Sequence, residues 1–237
     1  SPHLTAERVG AVVAQGFRGV KIGWGPFGMG SWKQDEQIVR AAKDAAGSDV
    51  ALMVDAGASD VSWPNDLKWA IETASMLANH DVEWFEEPLS PDDMDGHYRL
   101  TKQSPVKIAA GEVLCRRQQF LPWIQCGAID IVQPDLTRAG GISDSRHIAM
   151  HAMDRGIRFV PHGWNTAVGL AADLQLVASL PQASWIEYVT PSPFIDDLVD
   201  MPLDLDEEGR LVIPDLPGLG IKWNEQGLDR HTGLMTA

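Results

Sequence analysis

Cysteine is nearly absent. Cys115 and Cys126 form neither a CxxC pair nor a disulfide framework, a usage that fits a reducing cytoplasm, where the chain is expected to reside. No apolar run reaches the roughly 18–20 residues of a membrane helix, and no signal-peptide pattern is visible. Basic residues are also scarce: 19 Lys and Arg stand against 33 Asp and Glu, a formal net charge of −14. That balance argues against nucleic acid and anionic membrane and leaves a small molecule as the expected partner. An anionic substrate would then need local positive charge, which a bound cation supplies. Short-period repeats and low-complexity tracts are missing too.

What remains is a chain of 237 residues, 44% apolar and 22% charged, enough for one large single-core domain. Its pattern alternates regularly. A helix over 4–15 stops at Gly16 and feeds a strand at Gly19–Ile22; a helix over 34–46 stops at Gly47 and feeds a strand over 50–55. Further strands are expected at 82–86, 106–110, 129–132, 157–160 and 185–187, with helices over 65–79, 93–101, 116–125, 143–155 and 166–180 between them. Alternating units of this length predict an α/β fold, a parallel sheet covered by helices of the (β/α)8 barrel type. Seven strands are visible and the expected first one is not, so a longer native protein is anticipated, since an open edge would expose unpaired backbone groups. The barrel is assigned to residues 1–190. Residues 191–237 read as a Pro- and Asp-rich tail, with a hairpin-like stretch at Leu203–Ile213, packing on the barrel or on a capping domain.

Three acidic residues recur at strand ends: Asp55, Glu86 and Glu112, spaced 31 and 26 residues apart. Strand C-termini of a parallel barrel converge on one mouth, where active sites of such barrels lie. Three carboxylates meeting there repel one another unless a hard divalent cation neutralises them, so they are read as a metal site. A second pair lies on the next two strands. Asp135 follows strand 129–132 and His162 follows strand 157–160, side by side at the same mouth. A carboxylate bound to one imidazole nitrogen fixes the tautomer and raises the basicity of the other, which makes a general base.

These residues, taken with Lys21, the Glu86-Glu87-Pro88 tripeptide, Gly111-Glu112, Gly140-Gly141 after Asp135, and Trp185-Ile186-Glu187, follow one another in a single order. The set resembles the barrel domain of the enolase superfamily, mandelate racemase subgroup, over about residues 5–225. The resemblance implies a Mg²⁺ site at Asp55, Glu86 and Glu112 and a base pair of His162 with Asp135. It implies that Glu187 hydrogen-bonds the substrate carboxylate or its enediolate, and it matches Lys21 to the first lysine of a Lys-x-Lys motif. It also implies a symmetric homo-oligomer and an N-terminal capping domain that this chain does not contain.

One position departs from the pattern. The motif reads Lys21-Ile22-Gly23, and a glycine moves no protons. Racemisation needs proton-transfer groups on both faces of the α-carbon, so one base on one face fits β-elimination instead. The expected activity is Mg²⁺-dependent dehydration of an acid sugar, an aldonate or aldarate, to a 2-keto-3-deoxy product: a hydro-lyase. The alternatives are a 2-hydroxy-acid racemase or epimerase, or an inactive barrel fragment of such an enzyme.

Other features carry less. Gly23–Gly30 is glycine-rich after a strand but matches neither the dinucleotide fingerprint nor Walker A, and reads as a wide mouth loop. His147 and His151 have zinc-compatible spacing, yet no Glu follows His147 and no third ligand is evident, so they read as a solvated helix face. Trp164, Asn165 and Arg138 lie close enough in sequence to line a pocket, with nothing to assign them a role.

Overall fold

Six of the expected strands pair in sequence order. The computed structural model describes residues 1–24, 27–28, 30–57, 65–200 and 205–232. Helix α1 (Pro2–Val13) leads into β1 (Gly19–Gly23), and α2 (Trp32–Ala46) into β2 (Ala51–Asp55). Then follow α3 (Leu67–Ala78), β3 (Val82–Glu86), α4 (Met94–Gln103), β4 (Lys107–Ala110), α5 (Arg116–Cys126) and β5 (Ile131–Val132). The one-turn α6 (Leu136–Ala139), α7 (Gly141–Met153), β6 (Arg158–Phe159) and α8 (Ala167–Ala178) complete the alternation. The sheet order is β1 through β6, every neighbouring pair parallel.

The elements form for local reasons. Ser31, Asp66 and Asp93 cap α2, α3 and α4, their side-chain oxygens accepting from the backbone amides of Gln34, Lys68 and Gly96. Gly47 and Gly127 end α2 and α5 at positive φ. Pro134 and Pro161 follow β5 and β6 closely and lack the amide that would extend the ladder, which keeps those strands to two residues each.

The expected seventh strand, 185–187, is a correction. The segment belongs to no strand among the described residues, although it lies where one would stand. Trp185 reaches the interior beside β1, where a Cβ on Gly19 would meet its ring at 2.5 Å. Glu187 is held from both sides, by Lys21 of β1 and by the backbone amide of Gly163 beyond β6. The sheet therefore curls until its two edges face one another across this segment. Among the described residues, side chains rather than a backbone ladder link this segment to both edges.

Two apolar layers hold the structure. Leu52, Val54, Phe85, Ile108, Val132 and Phe159 point outward into the helices, against Ala42, Ala70, Leu77, Ile124 and Ile148. Met53, Trp84, Ala109, Ile131 and Val160 fill the interior, with Trp185 packed among them. Beyond residue 190, α9 (Pro193–Asp196) and α10 (Glu225–Thr232) bracket two single antiparallel bridges, Val199 with Trp223 and Leu205 with Leu211. This tail lies against the barrel: Leu198 and Val199 pack on Ala167 of α8, and Arg18 donates to the carbonyls of Glu207 and Glu208. Gly25, Pro26 and Met29 of the glycine-rich segment, and Leu203 of the hairpin-like stretch, lie outside the described residues. No helix among the described residues is long and apolar enough to cross a membrane.

Candidate active site

Side chains alternate along a strand, so whatever follows an inward residue by two or four also points inward. Met53 of the inner layer is followed by Asp55, Trp84 by Glu86, Ile131 by Gln133 and Asp135, Val160 by His162, and Trp185 by Glu187. This parity delivers five of the seven expected site residues to the C-terminal mouth, and Lys21, paired in register with Met53, is the sixth. Glu112 breaks the parity, since its odd-numbered neighbours Ala109 and Gly111 are the inward ones. Gly111 takes φ +130, a conformation rare for any other residue, and the turn brings Glu112 in.

The three acids meet. Asp55, Glu86 and Glu112 are all buried, and each offers a carboxylate oxygen within 4.8 Å of the others. Asp55 Oδ1 accepts from the amide of Gly57 at 2.8 Å, and Glu86 Oε2 accepts from the indole N–H of Trp84 at 3.0 Å. Burial first, then the Glu86 charge, push the Asp55 carboxyl up to about 7. Lys21 answers this crowding. Its ammonium pairs with Glu86 and Glu187 and lies 3.4 Å from Asp55 Oδ2. Burial works against that charge, but Glu187, Glu86 and Asp55 outweigh it and hold the lysine well above its usual pKa. One ammonium cannot neutralise three buried carboxylates and the half-buried Glu187, and an all-oxygen donor set with excess negative charge fits a hard divalent cation such as Mg²⁺.

The histidine and its partner also meet. His162 Nδ1 and Asp135 Oδ2 are 3.0 Å apart, both residues buried, and Nε2 faces Glu112 Oε2 at 3.4 Å. Asp135 is oriented by its own helix: as N-cap of α6, its Oδ1 accepts from the amide and hydroxyl of Thr137. Burial would raise the Asp135 carboxyl, but the His162 and Thr137 hydrogen bonds outweigh it and leave it lowered. Burial alone would lower the imidazole. The Asp135 hydrogen bond, then the charges of Glu187 and Glu112, reverse this and raise it to about 9. Glu187 is lowered despite burial, chiefly by Lys21 and then His162.

Gly23 is closed to any side chain. It sits at φ +130, and a Cβ there would stand 1.9 Å from the carbonyl oxygen of Asp55. That same oxygen accepts from the Trp24 amide at 3.0 Å, which draws the end of β1 onto β2. We expect Gly23→Ala to lower stability by at least the roughly 1–3 kcal/mol typical of such backbone strain. Denaturant midpoints measure this, and an unchanged midpoint would contradict the geometry.

Three buried groups in or beside the site had no role assigned from the sequence. Trp84 orients Glu86; its signal was only its place two residues before an inward acid. Glu87 is fully buried at φ +43, with Oε1 accepting from the Gly111 amide, and burial followed by the Glu112 charge pushes it up to about 8. Asp173, a lone acid in the apolar α8, is the third. The minor candidates stay outside: His147 and Arg138 are exposed, and His151 lies 3.4 Å from Arg155. Trp164 is 73% exposed.

The fold and site define a parallel α/β barrel domain with a carboxylate-lined mouth, one lysine and one histidine. Residues 4–227 match the enolase C-terminal domain-like family, and the chain belongs to it, within the mandelate racemase subgroup of the enolase superfamily. It is 34% identical to a D-galactarolactone cycloisomerase of Agrobacterium fabrum, over 91% of this chain and 57% of that protein. It is 31% identical to an arabinonate dehydratase of Saccharolobus solfataricus, over 88% of this chain and 53% of that protein. A solved L-talarate/galactarate dehydratase mutant, liganded with Mg and L-glucarate, superposes with a TM-score of 0.84 at 29% identity. That match covers 97% of this chain and 54% of the other. The chain thus spans little more than half the length of these relatives, which are enzymes acting on acid sugars and their lactones.

Proposed function

We propose that this domain carries the active site of a Mg²⁺-dependent hydro-lyase that dehydrates an acid sugar, with Asp55, Glu86 and Glu112 as metal ligands. The observation that carries the reading is the asymmetry of the mouth. His162, seated on Asp135, offers a base on one face, while the corresponding place on β1 is Gly23, where no side chain fits.

When bound, Mg²⁺ would offset, as a Lewis acid, the charge growing on the substrate carboxylate and, by countering Glu112, bring the His162 pKa back toward neutrality. The chain's own groups do the rest. His162 Nε2 takes the proton α to the carboxylate while Nδ1–H stays on Asp135, which stabilises the imidazolium that forms. Glu187, lowered in pKa and fixed by Gly163 and Lys21, takes a hydrogen bond from the substrate, and the Lys21 ammonium touches its oxygens. The imidazolium then returns its proton to the departing C3 hydroxyl, which leaves as water, so one group serves both steps.

A second reading, cycloisomerisation, is favoured by the higher identity to the galactarolactone enzyme. It would use the same base with an internal leaving group. Mass spectrometry separates the two, since dehydration loses one water and cycloisomerisation leaves the mass unchanged. The test is to offer the Mg²⁺-loaded protein a panel of aldonates, aldarates and their lactones and to score 2-keto-3-deoxy products. With one proton-transfer face, we expect a single C2 configuration to be consumed. Appearance of the C2 epimer ahead of product in D₂O would require a second base and would overturn the reading.

A further inference from the structure

Helix α8 carries only two polar side chains, Gln175, which reaches the carbonyl of Leu219, and Asp173, which is fully buried. Both oxygens of Asp173, and both amide atoms of Asn165, are buried, and no polar partner outside this pair reaches them among the described residues. Their juxtaposition is built into the helix. The Asn165 amide lies against Gly169, where a Cβ would come within 2.3 Å of it. Residues 169 and 173 stand one turn apart on α8, and Asn165, just before the N-cap Thr166, lays its amide against Gly169 on that face.

That face looks toward the base pair. Helix α8 packs on α6, whose N-cap is Asp135. The charged groups that act on Asp173 are Asp135, His162 and Glu187, with the Asn165 amide as its polar neighbour. A second carboxylate behind Asp135 would compete with it for His162. The site lessens this: burial first, then the Asp135 charge, push the Asp173 carboxyl up to about 8, toward its neutral form.

We propose that Asp173 and Asn165 are positioning residues, forming a polar layer behind Asp135 that holds it in register with His162. Neither touches substrate; they act through Asp135. The inference rests on the reading of His162 with Asp135 as the base pair, but its test does not depend on turnover.

The full chain, labelled with ¹⁵N in its histidine rings, is compared at pH 7 with Asp173→Asn, Asp173→Leu and Asn165→Ala. Wild type and Asp173→Asn, which keeps a neutral polar group of the same shape, should give the same hydrogen-bonded His162 Nδ1–H resonance. Asp173→Leu and Asn165→Ala should shift or broaden it. If Asp173→Leu fails to fold, Asn165→Ala, at a half-exposed position, decides. Where a panel acid sugar is turned over, the same variants should lose about tenfold in kcat, as outer partners of a site commonly do, with KM unchanged. A wild-type His162 resonance in Asn165→Ala, and in Asp173→Leu if folded, overturns the proposal. Loss of water from no panel member by the whole protein that carries this domain, with the resonance still shifted in the variants, sinks the dehydratase reading and leaves this one standing.

Discussion

Replacing His162 by Asn should stop both α-proton exchange in D₂O and product formation. General acid–base groups contribute about 10²–10⁴-fold each, and one imidazole serving both steps places the loss at the upper end or beyond. The substitution should spare the fold, since Asn can still meet Asp135 and the neighbouring strand ends are set by Pro161 and the Pro134 carbonyl, which accepts from the residue 162 amide at 3.2 Å. In the wild type the rate should climb with pH, because only the neutral imidazole accepts a proton and its pKa is raised by Asp135, Glu187 and Glu112. That limb should vanish in His162→Asn. Exchange persisting at the wild-type rate would move the base to Lys21, the other proton-transfer group at the mouth.

Glu86→Gln should separate the metal from the fold. Glu86 lies at the centre of the carboxylate cluster, fully buried, bonded to Trp84 and paired with Lys21. An amide keeps its shape and removes one charge from a site where Asp55 already feels that charge. Without metal, the variant should therefore melt at or above the wild-type temperature, because relief of like-charge repulsion offsets the weaker Lys21 pairing. With Mg²⁺ the order reverses. At a concentration of 100 times Kd, a bound cation adds about 2.7 kcal/mol to wild-type stability; the variant should gain almost none and should lose turnover entirely. Paired melts with and without Mg²⁺ measure this, and an equal Mg²⁺-dependent shift in both proteins would remove Glu86 from the ligand set.

Much of this was legible in advance because barrels are built from local, repeating instructions. Period-2 alternation and strand-end position brought Asp55, Glu86, Asp135 and His162 together without any long-range information. What the residues could not reveal depends on partners distant in the chain. Trp185-Ile186-Glu187 has the composition of a strand, but strand identity rests on a ladder partner, and neither flanking edge supplies one. Leu136–Ala139 looked like a loop because a single turn leaves no periodicity to detect. Asp173 was passed over inside an apolar helix. Its isolation among Ala171, Ala172 and Leu174 was a signal, but only the packing of α8 on α6 says what it faces.

The contact between Lys21 and Glu187 has a consequence for the molecule as a machine. It fastens β1 to the segment that follows α8, so the groups expected to touch substrate also tie these two parts of the mouth together. A lysine raised in pKa and a glutamate lowered in it stay oppositely charged through the whole neutral range. The pair therefore keeps its charges through ordinary changes of acidity and, being half-buried, is only partly screened by salt. An anion binding at the mouth would compete for the same ammonium, so substrate recognition and the link between β1 and the segment after α8 draw on one charge.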